Sequence, residues 1–274
     1  MQEYGHWATA DISPICGTPI GVGSKQIREA LMPNIEWNRD TWDRQHDWSE
    51  AGDEWSGMAA HCDQPYGAWK QALIDELLTP RLRPGAHVVE VAPGHGRFTE
   101  HIAARVANTT LVDLSPTCLE LCRERFGDDG VAYVLTDGAS LPGVGDASVD
   151  FIWSFDSFVH MERDVIDAYL HEFRRVLRRG GTFTIHHAGK ADWTLRLVPL
   201  TSRLGTVGRV AQRLVSQRRL RDSGRRADVS REQVSRLAAG AGLTILTQRR
   251  TWGPHDEFSV AKYGDWITTG VRAA

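Results

Sequence analysis

A glycine-bearing turn follows the first strongly apolar run of the chain, in the segment Val88–Gly96. Gly94 and Gly96 stand between this run and a helical pattern that begins directly afterwards. At the carboxyl end of a strand, glycine lets a ligand approach the backbone with no Cβ in the way. A tight strand–helix connection needs the same residues, so the turn alone indicates only a nucleotide-like ligand.

Acidic residues end the next two apolar runs. Asp113 closes the second run, where a carboxylate can accept both hydroxyls of a ribose. Asp137 closes the third, where it can accept from an adenine amino group while a backbone amide meets a ring nitrogen. Each could instead cap a helix or a turn. Thr99 stands where a dinucleotide motif needs glycine or alanine, which disfavours a nicotinamide oxidoreductase, kept here as an alternative. The set predicts a nucleoside site with no place for a second nucleotide.

Histidines follow the fourth and fifth runs, and histidine suits proton abstraction near neutral pH. Asp156 and His160 follow the fourth run, and His186 and His187 end the fifth. Adjacent residues of a strand point to opposite faces, so only one of the pair can easily face an acceptor. His160 could instead cap a helix, and one of the pair could be a core group. A His/carboxylate metal site is a further alternative, but we predict no metal. We name these four residues as the catalytic candidates.

The elements that must position these residues alternate regularly. Apolar strand patterns alternate with helical patterns of period 3.6, and two more strands follow near 243–248 and 265–272. The first five predicted strands are His87–Ala92, Thr109–Leu114, Val131–Thr136, Val149–Phe155 and Gly181–His187. Strands separated by helices of this length predict an α/β fold, a doubly wound and mostly parallel seven-stranded sheet covered on both faces.

At this point the chain resembles the class I, seven-stranded, Rossmann-like methyltransferases that use S-adenosylmethionine (SAM). The resemblance covers about residues 64–272 and includes the Arg-Val-Leu segment 175–177 with the glycine pair at 180–181 before the fifth strand. It implies SAM as the cofactor, with Glu90 orienting the glycine turn and the amino-acid part of SAM. Ala92 replaces the family's first glycine. The predicted cofactor-binding residues are Glu90, Ala92, Gly94, Gly96, Asp113, Leu114, Asp137, Gly138, Ala139 and Trp55.

Two segments outside the regular pattern are candidates for covering the site. Residues 1–63 form an arm with a tryptophan-rich stretch, which must pack on something and which we predict to be a helical lid. Residues 64–274 form the SAM-binding domain, with a helical insert at about 190–228 that would build the acceptor pocket. Tryptophans in and just beyond the stretch are Trp37, Trp42, Trp48, Trp55 and Trp69.

Composition and charge fit a cytoplasmic enzyme, and within the family the chain most resembles methyltransferases of natural-product biosynthesis that act on sugars or other small molecules. No apolar run is long enough to cross a membrane, and the four cysteines have no metal-type spacing. The acceptor would be a sugar, an aminosugar or a related compound, methylated at a hydroxyl or an amine with a histidine as the general base. The arginine cluster Arg218–Arg226 leaves open a nucleic-acid partner or an RNA-directed methyltransferase, which we do not expect because the net charge is −3. A homodimer is compatible with the sequence.

Overall fold

A seven-stranded sheet organises the part of the chain that the computed structural model describes, residues 33–46, 48, 65–189 and 226–273. Its strands lie in the order β3-β2-β1-β4-β5-β9-β6, and all pairings are parallel except those of β9 with β5 and β6. The strands are β1 (His87–Val91), β2 (Asn108–Asp113), β3 (Val131–Leu135), β4 (Val149–Phe158), β5 (Leu177–His187), β6 (Leu243–Arg249) and β9 (Trp266–Arg272). The predicted doubly wound α/β sheet is therefore confirmed.

Helices cover both faces of the sheet. They are α1 (Ile35–Arg39), α2 (Tyr66–Leu73), α3 (Thr99–Ala103), α4 (Pro116–Phe126), α5 (Arg163–Val176) and α6 (Arg231–Gly240). Helices α5 and α6 bury their apolar faces in one core cluster, and α2 and the α3 region contribute to a second. A π-helical turn, Asp40–Gln45, extends α1, and a second, Ile74–Leu78, extends α2 into a 3-10 turn, Thr79–Arg81. Helices α4 and α6 begin with polar caps, because the Ser115 side chain accepts from Cys118 N and Ser230 forms a capping box with Gln233.

The strand order reverses between β1 and β4. In open α/β sheets, ligands bind outside the carboxyl ends of the strands at such a point. Because β9 is antiparallel to β5, with Trp266 opposite His187, the start of β9 lies at this same edge. A short hairpin, β7 (Thr251–Trp252) and β8 (Phe258–Ser259), and a 3-10 turn, Ala261–Tyr263, come before β9; the sequence pattern did not predict them.

No helix within the described ranges is both long enough and apolar enough to cross a bilayer. The predicted insert lies outside those ranges except for residues 226–228, and so does most of the predicted arm. The domain boundaries at 63 and 64 remain a prediction.

Candidate functional site

The turn after β1 is held in a left-handed conformation at three positions. Ala92, Gly94 and Gly96 have φ values of +56°, +59° and +90°. Only glycine adopts such values without strain, so the alanine is a strained member of the turn. At Gly96 an added Cβ would lie 2.4 Å from the Phe126 ring. The packing of α4 therefore explains the glycine at 96 without a ligand, and its predicted approach to SAM stays a prediction.

Two buried carboxylates flank this turn. Glu90 on β1 accepts from the Thr99 hydroxyl at 2.6 Å, and Asp113 at the end of β2 accepts from Ser115 N at 2.9 Å. Burial raises the pKa of both carboxyls to about 7. The Thr99 hydroxyl partly offsets this effect at Glu90, as do backbone N–H groups, Gly94 among them, at Asp113. The two acids predicted from the sequence thus lie beside the glycine turn.

The loop after β3 presents its acid to solvent. Asp137 is exposed, and its Oδ1 accepts from Ala139 N at 2.9 Å and from the Ser140 hydroxyl at 2.8 Å. These hydrogen bonds lower the pKa of Asp137 and close a tight turn. Gly138 within it has φ +97°. Asp137 is therefore ionised and is also a structural turn residue, which is the alternative that the sequence left open.

Residues 33–46 and 48, which we call the N-terminal segment, lie over this edge of the sheet. Asp43 accepts from the Ser115 hydroxyl at 2.7 Å at the start of α4. The Trp48 ring lies on Gly94, where an added Cβ would be 3.0 Å from it. Asn38 donates from Nδ2 to the His160 carbonyl at 2.8 Å. The segment thus contacts the loops after β1, β2 and β4, as a lid would.

Asp156 and His186 meet at the ends of β4 and β5. His186 is fully buried, stacks on Phe155 with ring centroids 4.4 Å apart, and accepts at Nδ1 from Asp156 N at 3.2 Å. The Asp156 side chain is 23% exposed, and its Oδ1 lies 3.8 Å from His186 Nδ1. Burial raises the pKa of Asp156 to about 6, against the lowering effects of His186 and Arg97. A carboxyl with this pKa can accept a proton near neutral pH.

The other two histidines have different surroundings. His187 is fully buried, its Nε2 lies 2.7 Å from the Thr268 hydroxyl and its Nδ1 lies 2.5 Å from the Ala188 carbonyl. Burial lowers its pKa to about 4, so this imidazole is neutral and has the character of a core group. His160 is nearly buried between Trp37 and Trp42 of the N-terminal segment. Neither geometry is that of an exposed base, and their catalytic roles remain predictions.

The residues at the ends of β1 and β2 fit the nucleoside and amino-acid parts of SAM. The fit rests on the hydrogen-bond acceptors: among the described residues no cationic side chain is hydrogen-bonded to either carboxylate, and both lie next to Gly94, which has no side chain of its own. Carboxylates accept from hydroxyl and ammonium donors, which SAM carries. Among the described residues, no three His, Cys, Asp or Glu side chains come together as a metal site.

Several residues at this edge were not predicted from the sequence. They are Asp43, Asn38, Arg97, Arg226 and Asp265. Asp265 had one available signal, because it directly precedes β9, and the start of an antiparallel strand lies at the carboxyl edge of its parallel neighbours. Trp55 and arginines 218, 219, 221 and 225 lie outside the described residues, so the structure does not place them.

A comparison with protein families matches residues 89–185 to a methyltransferase domain. A ubiquinone/menaquinone biosynthesis C-methyltransferase of Rhizobium leguminosarum is 32% identical over 135 residues, which are 47% of this chain and 51% of that protein. A fatty-acid O-methyltransferase of Mycolicibacterium smegmatis is 35% identical over 101 residues, 36% of each chain. The chain thus spans about half, or less, of the length of these curated relatives.

The solved structure of a geranyl diphosphate methyltransferase in complex with SAM superposes with a TM-score of 0.53 at 19% identity. The match covers 75% of this chain and 85% of the other. At this identity the likeness concerns the fold, and it agrees with the sheet order described above.

Proposed function

We propose that the protein transfers a methyl group from SAM to a small-molecule acceptor, because residues 89–185 match a methyltransferase domain and the sheet is that of the class I, Rossmann-like SAM-dependent methyltransferases. The observation that carries the proposal is the pair of buried carboxylates, Glu90 and Asp113, on either side of the turn at Gly94. Burying a carboxylate is costly even with the hydrogen bonds that Thr99 and Ser115 N donate, and a ligand that donates further hydrogen bonds to these carboxylates would offset more of that cost.

Each residue of the cofactor site has a distinct task in this proposal. Asp113 accepts from the ribose hydroxyls, and Glu90 holds the turn and the ammonium end of the amino-acid part. Asp137 and the backbone of Gly138 and Ala139 bind the adenine edge. Leu114 and Trp55 belong to the same predicted set, as apolar contacts. SAM supplies an activated methyl group on a positively charged sulfur.

The protein must then align the acceptor and take up its proton. Asp156 is the group best suited to the proton, because it is the partly exposed acid at the end of β4 and its pKa lies near 6. In this proposal the base is the Asp156 carboxylate, in place of the histidine expected from the sequence, and His186 accepts a hydrogen bond from the Asp156 backbone N–H. The acceptor's nucleophilic atom forms the new bond to the methyl carbon, the carbon–sulfur bond breaks with its electron pair left on sulfur, and the proton goes to Asp156.

The acceptor that we propose is a polar small molecule such as a sugar or an aminosugar, methylated at oxygen or nitrogen. The excess of acids over bases in residues 1–80 favours a polar or cationic compound, whereas the arginine-rich insert at about 190–228 favours an anionic one. The relatives named above include a C-methyltransferase and a fatty-acid O-methyltransferase, so carbon and apolar acceptors belong in the same test. The described residues give no support to the two alternatives named from the sequence. For a nucleic-acid function, Arg226, the described member of the arginine cluster, is buried against Asp265. For a nicotinamide-dependent oxidoreductase, the position that needs glycine or alanine holds Thr99, whose hydroxyl is bonded to Glu90.

Isothermal titration with SAM and with its demethylated product tests the cofactor site. We expect both to bind the wild type and Asp113→Ala to bind at least tenfold more weakly. Asp128→Ala, an exposed acid beside Arg123, is the matched control. Equal binding by all three proteins, or none by the wild type, would refute the proposal. Mass spectrometry of reactions with an acceptor library, read as a gain of one methyl group, identifies the acceptor.

A further inference from the structure

A row of polar and charged side chains leads from Asp156 into the interior of the protein. Arg226 donates from Nε to both carboxylate oxygens of Asp265, at 2.9 and 2.7 Å. Asp265 Oδ2 in turn lies 3.4 Å from His186 Nε2. His186 accepts from the Asp156 backbone through its other nitrogen. Four residues that are distant in sequence therefore form one continuous path.

The inner part of this row is fully buried. Asp265 and His186 are 0% exposed and Arg226 is 8% exposed. The Arg226 guanidinium also lies over the Tyr263 ring, 4.6 Å from its centroid. A buried ion pair contributes little net stability, because removing both charges from water costs about as much as their attraction returns. Stability alone is thus a weak reason for this arrangement.

The outer end of the row is held in a costly conformation. Asp156 has φ +69°, a left-handed conformation that a residue with a side chain adopts only with strain. The contact of its N–H with His186 Nδ1 fixes that backbone. Since Asp265 faces Nε2, the ring can donate from Nε2 and accept at Nδ1, the tautomer that this contact requires.

We propose that Asp265 and Arg226 are positioning residues that act through His186 to orient the Asp156 carboxylate and set the charge around it. This inference rests on the proposed function for its role in methyl transfer. Next to Arg226, Ala227 N donates to Val159 O at 2.7 Å, so the backbone of the same segment is also bonded to the chain just after β4.

Carbon-13 NMR titration of the Asp156 carboxyl in the cofactor-free protein tests the charge coupling. The groups facing Asp156 are His186, Arg97, Arg226 and Asp265. We expect Arg226→Met to raise the titration midpoint by about half a pH unit or more, and Asp265→Asn to lower it by a similar amount. The double variant should return it close to the wild-type value. A merely structural role would give no such opposite shifts.

The surface pair Arg175 and Asp146, joined at 2.7 Å at the other edge of the sheet, supplies the control. Arg175→Met with Asp146→Asn should leave the Asp156 midpoint unchanged. If Arg226→Met does not fold, Arg226→Lys, which keeps the charge, is compared with Asp265→Asn, and only the latter should shift. One midpoint shared by the wild type and all folded variants would overturn the proposal.

Kinetics then separates this inference from the proposed function. Asp265→Asn should lower kcat by about tenfold or more, as expected of a misplaced catalytic group, with the Kd for SAM unchanged. A variant that loses SAM binding together with kcat, or keeps full kcat, would contradict positioning. If the wild type neither binds SAM nor transfers methyl groups, the proposed function fails, whereas the NMR shifts still decide the coupling.

Discussion

Asp156 combines a left-handed backbone, a partly exposed side chain and a pKa near 6. Asparagine tolerates the same backbone conformation, so replacing this one residue can change its charge without changing its geometry. At the scale of single residues, the proposed proton acceptor and a strained backbone conformation therefore occur in the same residue, Asp156.

The first prediction concerns the proton. A carboxyl must be ionised to accept a proton, so kcat should rise with pH through about 6 and then level off. Asp156→Asn should lower kcat by ~10²–10⁴-fold and remove that rise. Asp156→Glu should restore part of the rate together with the rise. Rate–pH profiles of the three proteins measure this, and an unchanged profile in Asp156→Asn would show that another group takes the proton.

The second prediction concerns stability. Burial raises the pKa of Asp113 to about 7, from the 3.8 of a free carboxyl. Between these values the folded state holds a proton that the unfolded chain has released, so the free energy of unfolding falls as pH rises through this window. Asp113→Asn should flatten this slope by about 1 kcal/mol per pH unit. Urea unfolding at pH 5, 6 and 7 measures the effect, with exposed Asp128→Asn expected to keep the wild-type slope.

The sequence allowed some site residues to be predicted and not others, for a physical reason. Glu90 and Asp113 could be placed, because they end consecutive parallel strands and so share one edge of the sheet. Arg226 could not, since it reaches the site from a segment 40 residues beyond His186 with no local pattern, and Asp265, 79 residues beyond His186, had only its position before β9 as a signal. The position of His187 at the end of the fifth strand was predicted. Its burial and its contact with the Thr268 hydroxyl were not, because they depend on β9, which is distant in sequence but pairs with β5.

At the scale of elements, the N-terminal segment connects three strand ends. Its Asp43 accepts at the start of α4, its Trp48 lies on the glycine turn and its Asn38 bonds to the loop after β4. The sequence predicted a packed tryptophan-rich lid, because exposed tryptophans are costly. It could not show which ring would contact which loop, since that depends on a fit between surfaces.

The third prediction follows from the contact of Trp48 with Gly94. The ring already occupies the approach to the bare backbone, so a ligand of the turn has to displace it. Trp48→Ala should therefore raise both the association and dissociation rate constants for SAM, by about tenfold if the contact is worth ~1.4 kcal/mol. Surface plasmon resonance measures both constants. Trp37→Ala, in the same segment but against His160, should leave them unchanged; equal changes in both variants would argue against a specific gate.

Strands were more predictable than their connections. Strands β1, β2 and β4 are buried over most of their length and their apolar runs stand out in the sequence, whereas the edge strand β3 is half exposed. The β7–β8 hairpin has only two residues in each strand and depends on Trp252 packing against Trp69 of α2. The local sequence of residues 250–260 does not indicate this contact, because Trp69 is far away in the chain.

At the scale of the whole molecule, β9 joins two parts of the sheet. It lies between β5 and β6, and its Gly270 faces both neighbours: an added Cβ would be 2.5 Å from the Phe183 ring and 3.0 Å from the Thr244 carbonyl. The absence of a side chain thus lets the three strands pack closely.

The fourth prediction tests this packing. Gly270→Ala should lower the free energy of unfolding by about 1–3 kcal/mol, the usual cost of overfilling a tight core site. Gly240→Ala, at the end of α6 where an added Cβ meets no atom within 4 Å, should be neutral or slightly stabilising. Urea unfolding compares them, and similar values for the two variants would show that the β5–β9 contact can relax.

The place of β9 also has a consequence for a chain emerging from the ribosome. This strand is made after the other six of the sheet, so until then β5 and β6 have unpaired edges and Arg226 has no Asp265 beside it. Open edges and an uncompensated buried charge are the features that make nascent chains prone to aggregation. The catalytic edge and a protected sheet are therefore completed in one late event, and a ribosome-bound intermediate stalled before residue 265 would need a chaperone more than the finished protein does.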